Sequence, residues 1–200
     1  MNLFLIALTL LGSTLDQERD FWAIHNVQEP EGVALEVGGI VALGGEEVLA
    51  CTRRGKIWRI VDAYGSEPTF TLWADGLREP LGLAIHPDDI PAWTNALATG
   101  KPWTGDIWCA QRGELTRMRD TDADGRGDLF ETFCDEWQTS GDYHEYVFGP
   151  AFTPDGSAWV TLNRPFGGQP FGTKDWRGWA MRIDRDGVMH PEAGGLRSPA

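Results

Sequence analysis

The protein is 200 residues long and carries a formal net charge of −13 at pH 7. A field of this sign repels a phosphate backbone, so the composition excludes nucleic acid as a partner and favours metal cations or basic proteins. The content of 25 glycines and 12 prolines indicates many short strands joined by turns. The cysteines Cys51, Cys109 and Cys134 lack the CxxC spacing of a zinc knuckle or an attached haem.

The N-terminal segment Leu3–Leu11 is apolar throughout, and small residues follow it at positions 12–14. It is shorter than the ~20 residues that span a bilayer, but it has the length of a signal-peptide core. Residues 1–15 are therefore predicted to be a signal peptide for export to the periplasm or the extracellular space, and no transmembrane span is expected. Because no lysine or arginine precedes the segment, a buried N-terminal strand or an irregular start is the alternative. Residues 16–35 form a polar lead-in.

From residue 36 onwards the sequence predicts a strand-rich unit that is repeated. The first copy predicts four strands within residues 37–74, and its segment VLACTRRGKIWRI aligns with DIWCAQRGELTRM, 58 residues further on. The alignment places Cys51 on Cys109 and Arg54 on Arg112, and the second copy carries an insertion at residues 88–104. Such repeats are typical of the blades of a β-propeller, which are ~40–50 residues long. Equivalent positions in neighbouring blades lie about 10 Å apart, so the two cysteines are expected on equivalent strands without a disulfide.

The third copy is centred on residues 141–163, GDYHEYVFGPAFTPDGSAWVTLN. The run from His144 to Phe148 predicts a strand, and Ala158–Leu162 predicts a second one. Between them, residues 153–156 predict a tight turn, because proline supplies a fixed φ and glycine a positive one. His144 would thus open a strand near the central channel, where propellers carry their sites.

The end of the sequence restates the entry of the second copy. GLREPL at residues 76–81 recurs as GLRSPA at residues 195–200. The repeats predict about three blades and the start of another, whereas a closed propeller contains ~4–8. The predicted fold class is therefore all-β, with residues 36–200 as the N-terminal half of a β-propeller domain and the chain as a fragment of a longer protein.

An acidic loop in the second copy matches the calcium-loop spacing D-x-D-x-D-G-x5-E. Alternating carboxylates suit a hard cation, and without one the aspartates would repel one another. A solvated acidic hairpin turn is the alternative, because the flanking residues predict strands and not the helices of an EF-hand. The predicted metal ligands are Asp120, Asp122, Asp124, Asp128 and Glu131.

Three further residues are candidates for chemistry at the channel. His144 is predicted to act as a general base, or alternatively to be satisfied by hydrogen bonds in the interior. On a strand, Asp142 would share its face while Glu145 would point to the other. Arg78 and Arg197, each at a blade entry, either point their guanidinium groups into the channel or cap backbone carbonyls.

These motifs together resemble the six-bladed propeller of the glucose/sorbosone dehydrogenase-like family. The resemblance covers about residues 30–200 and is carried by GLREPLGLAI, GDIWCAQRGELTRMRDTDADGRGD, YHEYVFGPAFTPDGSAWVTLN, WRGWAMRID and GLRSPA. It is greatest to exported, uncharacterised members that are often joined to haem or copper electron-transfer domains. The acidic loop belongs to this subgroup and is not the family's catalytic calcium site.

The resemblance implies the cofactor pyrroloquinoline quinone (PQQ) over the channel, beside a calcium ion. It implies that a histidine before a PDG turn takes the proton from a sugar hydroxyl, and His144 occupies that place. An Arg-Asn pair of the family touches the quinone; here the pair is Arg197 and Ser198, so serine replaces asparagine. The remaining cofactor and calcium ligands would follow Ala200.

Two functions of different classes remain open. The first is a PQQ-dependent sugar or aldose dehydrogenase, with a small sugar or aldehyde as substrate and a haem or copper domain as electron-transfer partner. The second is a non-catalytic propeller that binds carbohydrate or a partner redox protein. Propellers serve both purposes, so the fold alone does not decide between them.

Overall fold

The computed structural model describes residues 26–165 and 175–197. Within these residues the strands assemble into three four-stranded antiparallel sheets, each in sequence order. The first sheet contains β1 (Val37–Gly44), β2 (Glu47–Thr52), β3 (Lys56–Val61) and β4 (Thr69–Ala74). The second contains β5 (Leu83–Ala84), β6 (Ile107–Ala110), β7 (Leu115–Arg119) and β8 (Leu129–Cys134). The third contains β9 (Val147–Phe152), β10 (Ala158–Leu162), β11 (Trp179–Ile183) and β12 (Met189–Ala193).

The predicted all-β propeller fold is confirmed, since successive four-stranded antiparallel sheets of this order are propeller blades. The structure differs from the sequence-based expectation at two places. The insertion at residues 88–104 contains a 3-10 turn, Pro87–Asp89, and the helix α1, Ile90–Thr99. The strand that was expected to open at His144 begins at Val147, so His144 lies in a turn before β9.

The hydrophobic core lies between neighbouring sheets. One buried cluster joins Leu49 and Cys51 of the first sheet to Cys109 and Met118 of the second. A second cluster joins the second sheet to the third, through Trp108, Leu115, Val160 and Met181 among others. Cys51 lies on β2 and Cys109 on β6, each the second strand of its sheet, and neither forms a disulfide, as predicted. Both thiols are fully buried.

The inner strands of the three sheets approach one another through glycines. A Cβ atom on Gly82 would lie 1.8 Å from the carbonyl oxygen of Gly149, and one on Gly39 would lie 2.7 Å from the Cα of Gly82. A larger residue at either position would push the sheets apart, so these glycines permit the close packing at the centre.

The antiparallel order gives the molecule two faces. The entry face carries the segments that precede β1, β5 and β9, together with the β2–β3, β6–β7 and β10–β11 connections. The hairpin face carries the other connections, including α1 and the acidic loop at residues 120–128. The repeated GL entries are equivalent on the entry face, because Leu77 N–H donates to the Gly55 carbonyl (3.1 Å) and Leu196 N–H to the Gly178 carbonyl (2.9 Å).

The predicted signal peptide, residues 16–25 of the predicted lead-in, and Ser198 lie outside the described residues. No helix in the described ranges is long and apolar enough to cross a membrane.

Candidate functional site

His144 lies on the entry face beside two tyrosines. Its half-buried ring is 4.5 Å from the ring centroid of Tyr143 and 6.0 Å from that of Tyr146, both at near-perpendicular angles. Its backbone N–H donates to the Asp142 carboxylate at 3.2 Å, so this aspartate holds the turn. The predicted general base is thus placed in an aromatic, partly open setting.

Arg53, at the end of β2, ties this aromatic group to the first sheet. Its Nη1 donates to the hydroxyls of Tyr143 (3.3 Å) and Tyr146 (3.4 Å), and its Nη2 donates to Glu36 (3.2 Å). The hydrogen bond with Tyr146 and the charge of Arg53 lower the pKa of Tyr143, whereas burial raises that of Tyr146. The two phenols beside His144 therefore differ in acidity, and the more exposed one is the more acidic.

Glu145, next to His144, is fully buried. Its carboxylate accepts hydrogen bonds from the Ser140 hydroxyl (2.6 Å), the Gly141 N–H (3.0 Å) and Arg112 Nη2 (3.2 Å). Burial raises the pKa of Glu145, but the hydrogen bonds from Ser140 and Arg112 outweigh it, and the pKa is lowered overall. The buried carboxylate is charged and folds residues 140–145 into the turn that presents His144.

Two buried arginines complete this network. Arg112 also donates to Glu79 at 2.7 Å, which joins the connection between the first two sheets to the third. Arg177 donates to the carbonyl oxygens of Gln138 (2.9 Å), Glu145 (3.0 Å) and Arg112 (3.2 Å). Burial lowers the pKa of Arg177 to about 10. These buried charges stabilise the connections of the entry face from inside the protein. The outer surface of this face is formed by other residues.

A repeated dipeptide in the sequence marks the positions of Arg112 and Arg177. The repeat alignment contained only the first two of its three copies. An Arg-Gly dipeptide occurs at the connection between the second and third strands of every sheet, at residues 54–55, 112–113 and 177–178. The third copy was missed because a longer segment separates it from β10. The pairing of Arg112 with Glu145, 33 residues away, has no local signal, since the topology of the sheets creates it.

Arg78 and Arg197 lie in equivalent, exposed positions on the entry face. The Arg78 backbone N–H donates to Gln111 Oε1 (2.6 Å), and the carbonyl of Arg197 accepts from Arg164 N–H (3.1 Å). Within the described residues, no carboxylate lies at ion-pair distance from Arg78. The structure thus brings both arginines to the face of His144, and cofactor binding by them stays a prediction.

The acidic loop lies on the opposite, hairpin face. Ligand atoms of Asp120, Asp122 and Asp124 lie within 4.8 Å of one another, close enough to hold a metal ion. The other two predicted ligands are engaged elsewhere: Asp128 accepts hydrogen bonds from Thr121, and Glu131 pairs with Arg117. The structure therefore brings together a smaller ligand set than the sequence predicted.

Backbone amides offset part of the repulsion within this loop. Gly125 N–H donates to Asp120 at 2.8 Å and Asp124 N–H donates to the same carboxylate at 3.2 Å. The loop joins β7 to β8, which confirms that strands and not helices flank it. Calcium binding by the loop stays a prediction.

Solved structures with a similar fold include glucose dehydrogenases. A Thermus thermophilus protein assigned as an oxidoreductase (glucose dehydrogenase) is 20% identical, with a TM-score of 0.54 over 80% of this chain and 47% of its own. Two further glucose dehydrogenase structures are each 17% identical, with TM-scores of 0.52 and 0.50. They align over 82% and 77% of this chain, and over 53% and 49% of their own lengths.

The chain thus spans about half the length of these structures, and at this identity the likeness shows the propeller fold. No family model matches the sequence, and a comparison with curated proteins gives no match.

Proposed function

We propose that this chain carries the general base of a quinone-dependent sugar dehydrogenase, and that His144 is that base. The observation that carries the proposal is the convergence on one face of His144, the tyrosines bound by Arg53, and the exposed Arg78 and Arg197. The shared fold with glucose dehydrogenase structures supports it.

The proposed chemistry of the chain's own residues begins with proton removal. His144 accepts the proton of the sugar hydroxyl, a task that suits imidazole because its protonation changes near neutral pH. The hydroxyls of Tyr143 and Tyr146 hydrogen-bond other sugar hydroxyls, and their rings exclude water from one side of the imidazole. Glu145 is a positioning residue, since it holds the turn from the interior without reaching the substrate.

The residue types of the entry face fit an anionic quinone such as PQQ. Although the protein has a net charge of −13, this face exposes Arg78 and Arg197, whose guanidinium groups suit carboxylates. The side-chain oxygen of Asn163, buried beside this face, has no hydrogen-bond partner among the described residues. When bound, the quinone would supply the hydride acceptor, and Arg78 and Arg197 would hold its carboxylates.

The test is a dye-coupled assay of the protein after incubation with PQQ and calcium, with aldoses as substrates. His144→Gln should lower turnover ~10²–10⁴-fold, because general-base catalysis contributes about that much. It should leave the melting temperature unchanged. His190→Gln is the matched control, since His190 lies on β12 and pairs with Asp184 at 2.8 Å, away from the entry face. Lost stability with unchanged turnover would make His144 an interior histidine.

A non-catalytic propeller that binds carbohydrate or a redox partner is the second candidate. The serine at position 198, where the resembled family carries asparagine, favours it. Calorimetric titration with the same aldoses distinguishes the two functions. Sugar binding that His144→Gln weakens, without turnover in the wild type, would establish the binding protein.

A further inference from the structure

A cavity of about 300 Å³ opens on the hairpin face between the second and third sheets, away from the entry face. Its walls come from the segment after β5, from β6, β7 and β8, and from the hairpins of the third sheet. The residues that matter for its chemistry are Asp89, Asp106, Trp108, Phe133 and Phe152. Its volume lies at the lower end of the range of small-molecule pockets.

Aromatic rings form a corner in this cavity. Trp108 contacts Phe133 at a centroid distance of 4.9 Å and an angle of 83°, and Phe152 at 5.4 Å and 79°. His86 closes the group against Phe152 at 4.9 Å. Because the rings are nearly perpendicular, they provide walls in different planes. The negative face of an aromatic ring attracts a cation, most strongly where water is excluded.

Most of the charged groups in the cavity are already paired. Asp88 forms a bidentate ion pair with Arg185, whose Nη1 and Nη2 lie 2.8 and 2.9 Å from the two carboxylate oxygens. Asp106 accepts a hydrogen bond from Arg119 at 2.6 Å, and Arg117 pairs with Glu131. The arginines that line the cavity are therefore neutralised by carboxylates of the protein itself.

Asp89 is the exception. It occupies the N-cap position of α1, yet its carboxylate makes no capping hydrogen bond. Within the described residues, no donor lies at hydrogen-bond or ion-pair distance from it. Burial and the charge of Asp106 raise its pKa, and the opposing charges of His86 and Arg119 do not outweigh them. A half-buried, unpartnered carboxylate in a cavity is a site for a cation.

The aromatic walls determine which kind of cation fits the cavity. A bare metal ion needs several carboxylates close together, and among the described residues only Asp120, Asp122 and Asp124 meet that condition. The cavity offers the Asp89 carboxylate and the aromatic rings of Trp108, Phe133 and Phe152, while its two arginines are already paired. This combination suits a charged nitrogen surrounded by methyl or methylene groups. We propose that this cavity binds a small alkylammonium ion, with its nitrogen facing Asp89 and its carbon atoms against Trp108, Phe133 and Phe152.

The experiment compares choline with its neutral isostere 3,3-dimethylbutan-1-ol, by amide NMR titration of the ¹⁵N-labelled protein. Choline should shift the amide signals of residues 86, 88, 89, 106–108 and 152 to saturation, and the isostere should bind at least ~10-fold more weakly. Asp89→Asn should weaken choline binding by about the same factor. Phe152→Leu should weaken it ~3–10-fold, because one aromatic wall is lost.

Glu67→Gln is the matched control, since it removes one negative charge from an exposed loop outside the cavity and should leave choline binding unchanged. Equal binding of choline and the isostere, or wild-type affinity in Asp89→Asn, would overturn the proposal. So would choline shifts centred on residues 120–128, or shifts of the cavity amides by glucose instead. If Phe152→Leu does not fold, the isostere and Asp89→Asn still decide.

Discussion

The two faces of the propeller use charged residues in opposite ways. On the entry face, Glu145 is fully buried and Arg112 is 7% exposed, and hydrogen bonds within the protein compensate for the lost water. On the hairpin face, Asp122 and Asp124 lie exposed in a loop, and the Asp88–Arg185 pair is about half exposed, at 59% and 51%. Burial makes the first group a structural support, whereas exposure leaves the second group available to ions and ligands.

The largest effect is expected from breaking the buried network. Glu145→Gln removes the buried carboxylate that pairs with Arg112, and removal of one partner of a buried pair costs about 3–5 kcal/mol. Glu79→Gln should cost about 1 kcal/mol, because Glu79 is 21% exposed and water replaces its contact with Arg112. Urea unfolding followed by circular dichroism measures both. Equal losses of unfolding free energy in the two variants would show that burial of the carboxylate does not determine its contribution to stability.

The pH dependence of stability should show the same difference. Because the folded-state pKa of Glu145 is lowered, its contribution is fully present above its unfolded-state pKa of about 4.3 and is lost as the pH falls through the folded value. The wild type should therefore lose stability more steeply than Glu145→Gln below about pH 5, and the two curves should converge. Urea midpoints between pH 7 and pH 3 test this. Parallel curves would show that Glu145 is not charged in the fold.

An intermediate effect is expected from calcium at the acidic loop. If Asp120, Asp122 and Asp124 bind the ion, calcium at ~100 times its dissociation constant adds about 2.7 kcal/mol of stability. That corresponds to a rise of roughly 5–10 °C in melting temperature. Asp122→Asn should abolish the rise. Asp128→Asn should retain it, because Asp128 is bound to Thr121 outside the cluster.

Scanning calorimetry with calcium or with chelator measures these melting temperatures. If calcium does not change the melting temperature of the wild type, the loop is only a solvated hairpin turn.

The smallest effect is expected from the surface ion pair between the sheets. A double-mutant cycle of Asp88→Ala and Arg185→Ala should give a coupling of about 0.2–1 kcal/mol, because both side chains stay largely hydrated. The coupling should shrink in 1 M NaCl, where the Debye length is about 3 Å. A salt-independent coupling above ~2 kcal/mol would mean that this pair behaves like the buried network.

The strands were predictable because their signals are local. The bounds predicted for β10, Ala158–Leu162, agree with the structure, since β-formers there follow a clear turn. The helix α1 was missed, although Pro91 in its first turn and Gly100 after its last residue, with a φ of 65°, are helix-end signals. The insertion at residues 88–104 has no counterpart in the first copy, so the repeat itself carries no signal for this helix.

The site was less predictable, because its contacts are distant in sequence. The propensities of Tyr146 and the residues after it favour a strand. The Glu145 carboxylate, however, draws the N–H groups of Ser140 and Gly141 towards itself and bends the chain into a turn. The repeat did predict that Arg78 and Arg197 occupy equivalent places. The contact of Arg53 with the tyrosines joins residues 90 or more positions apart and follows only from the packed sheets.

The buried cysteines Cys51 and Cys109 report on the opening of the first and the second sheet. Burial raises the pKa of Cys51 to about 11 and that of Cys109 well above its usual value, so neither thiol reacts until its surroundings open. The alkylation rate of each then equals its opening equilibrium multiplied by the rate of a free thiol. Equal rates at Cys51 and Cys109 would mean that the first two sheets open as one cooperative unit. A faster rate at one would identify the sheet that separates first.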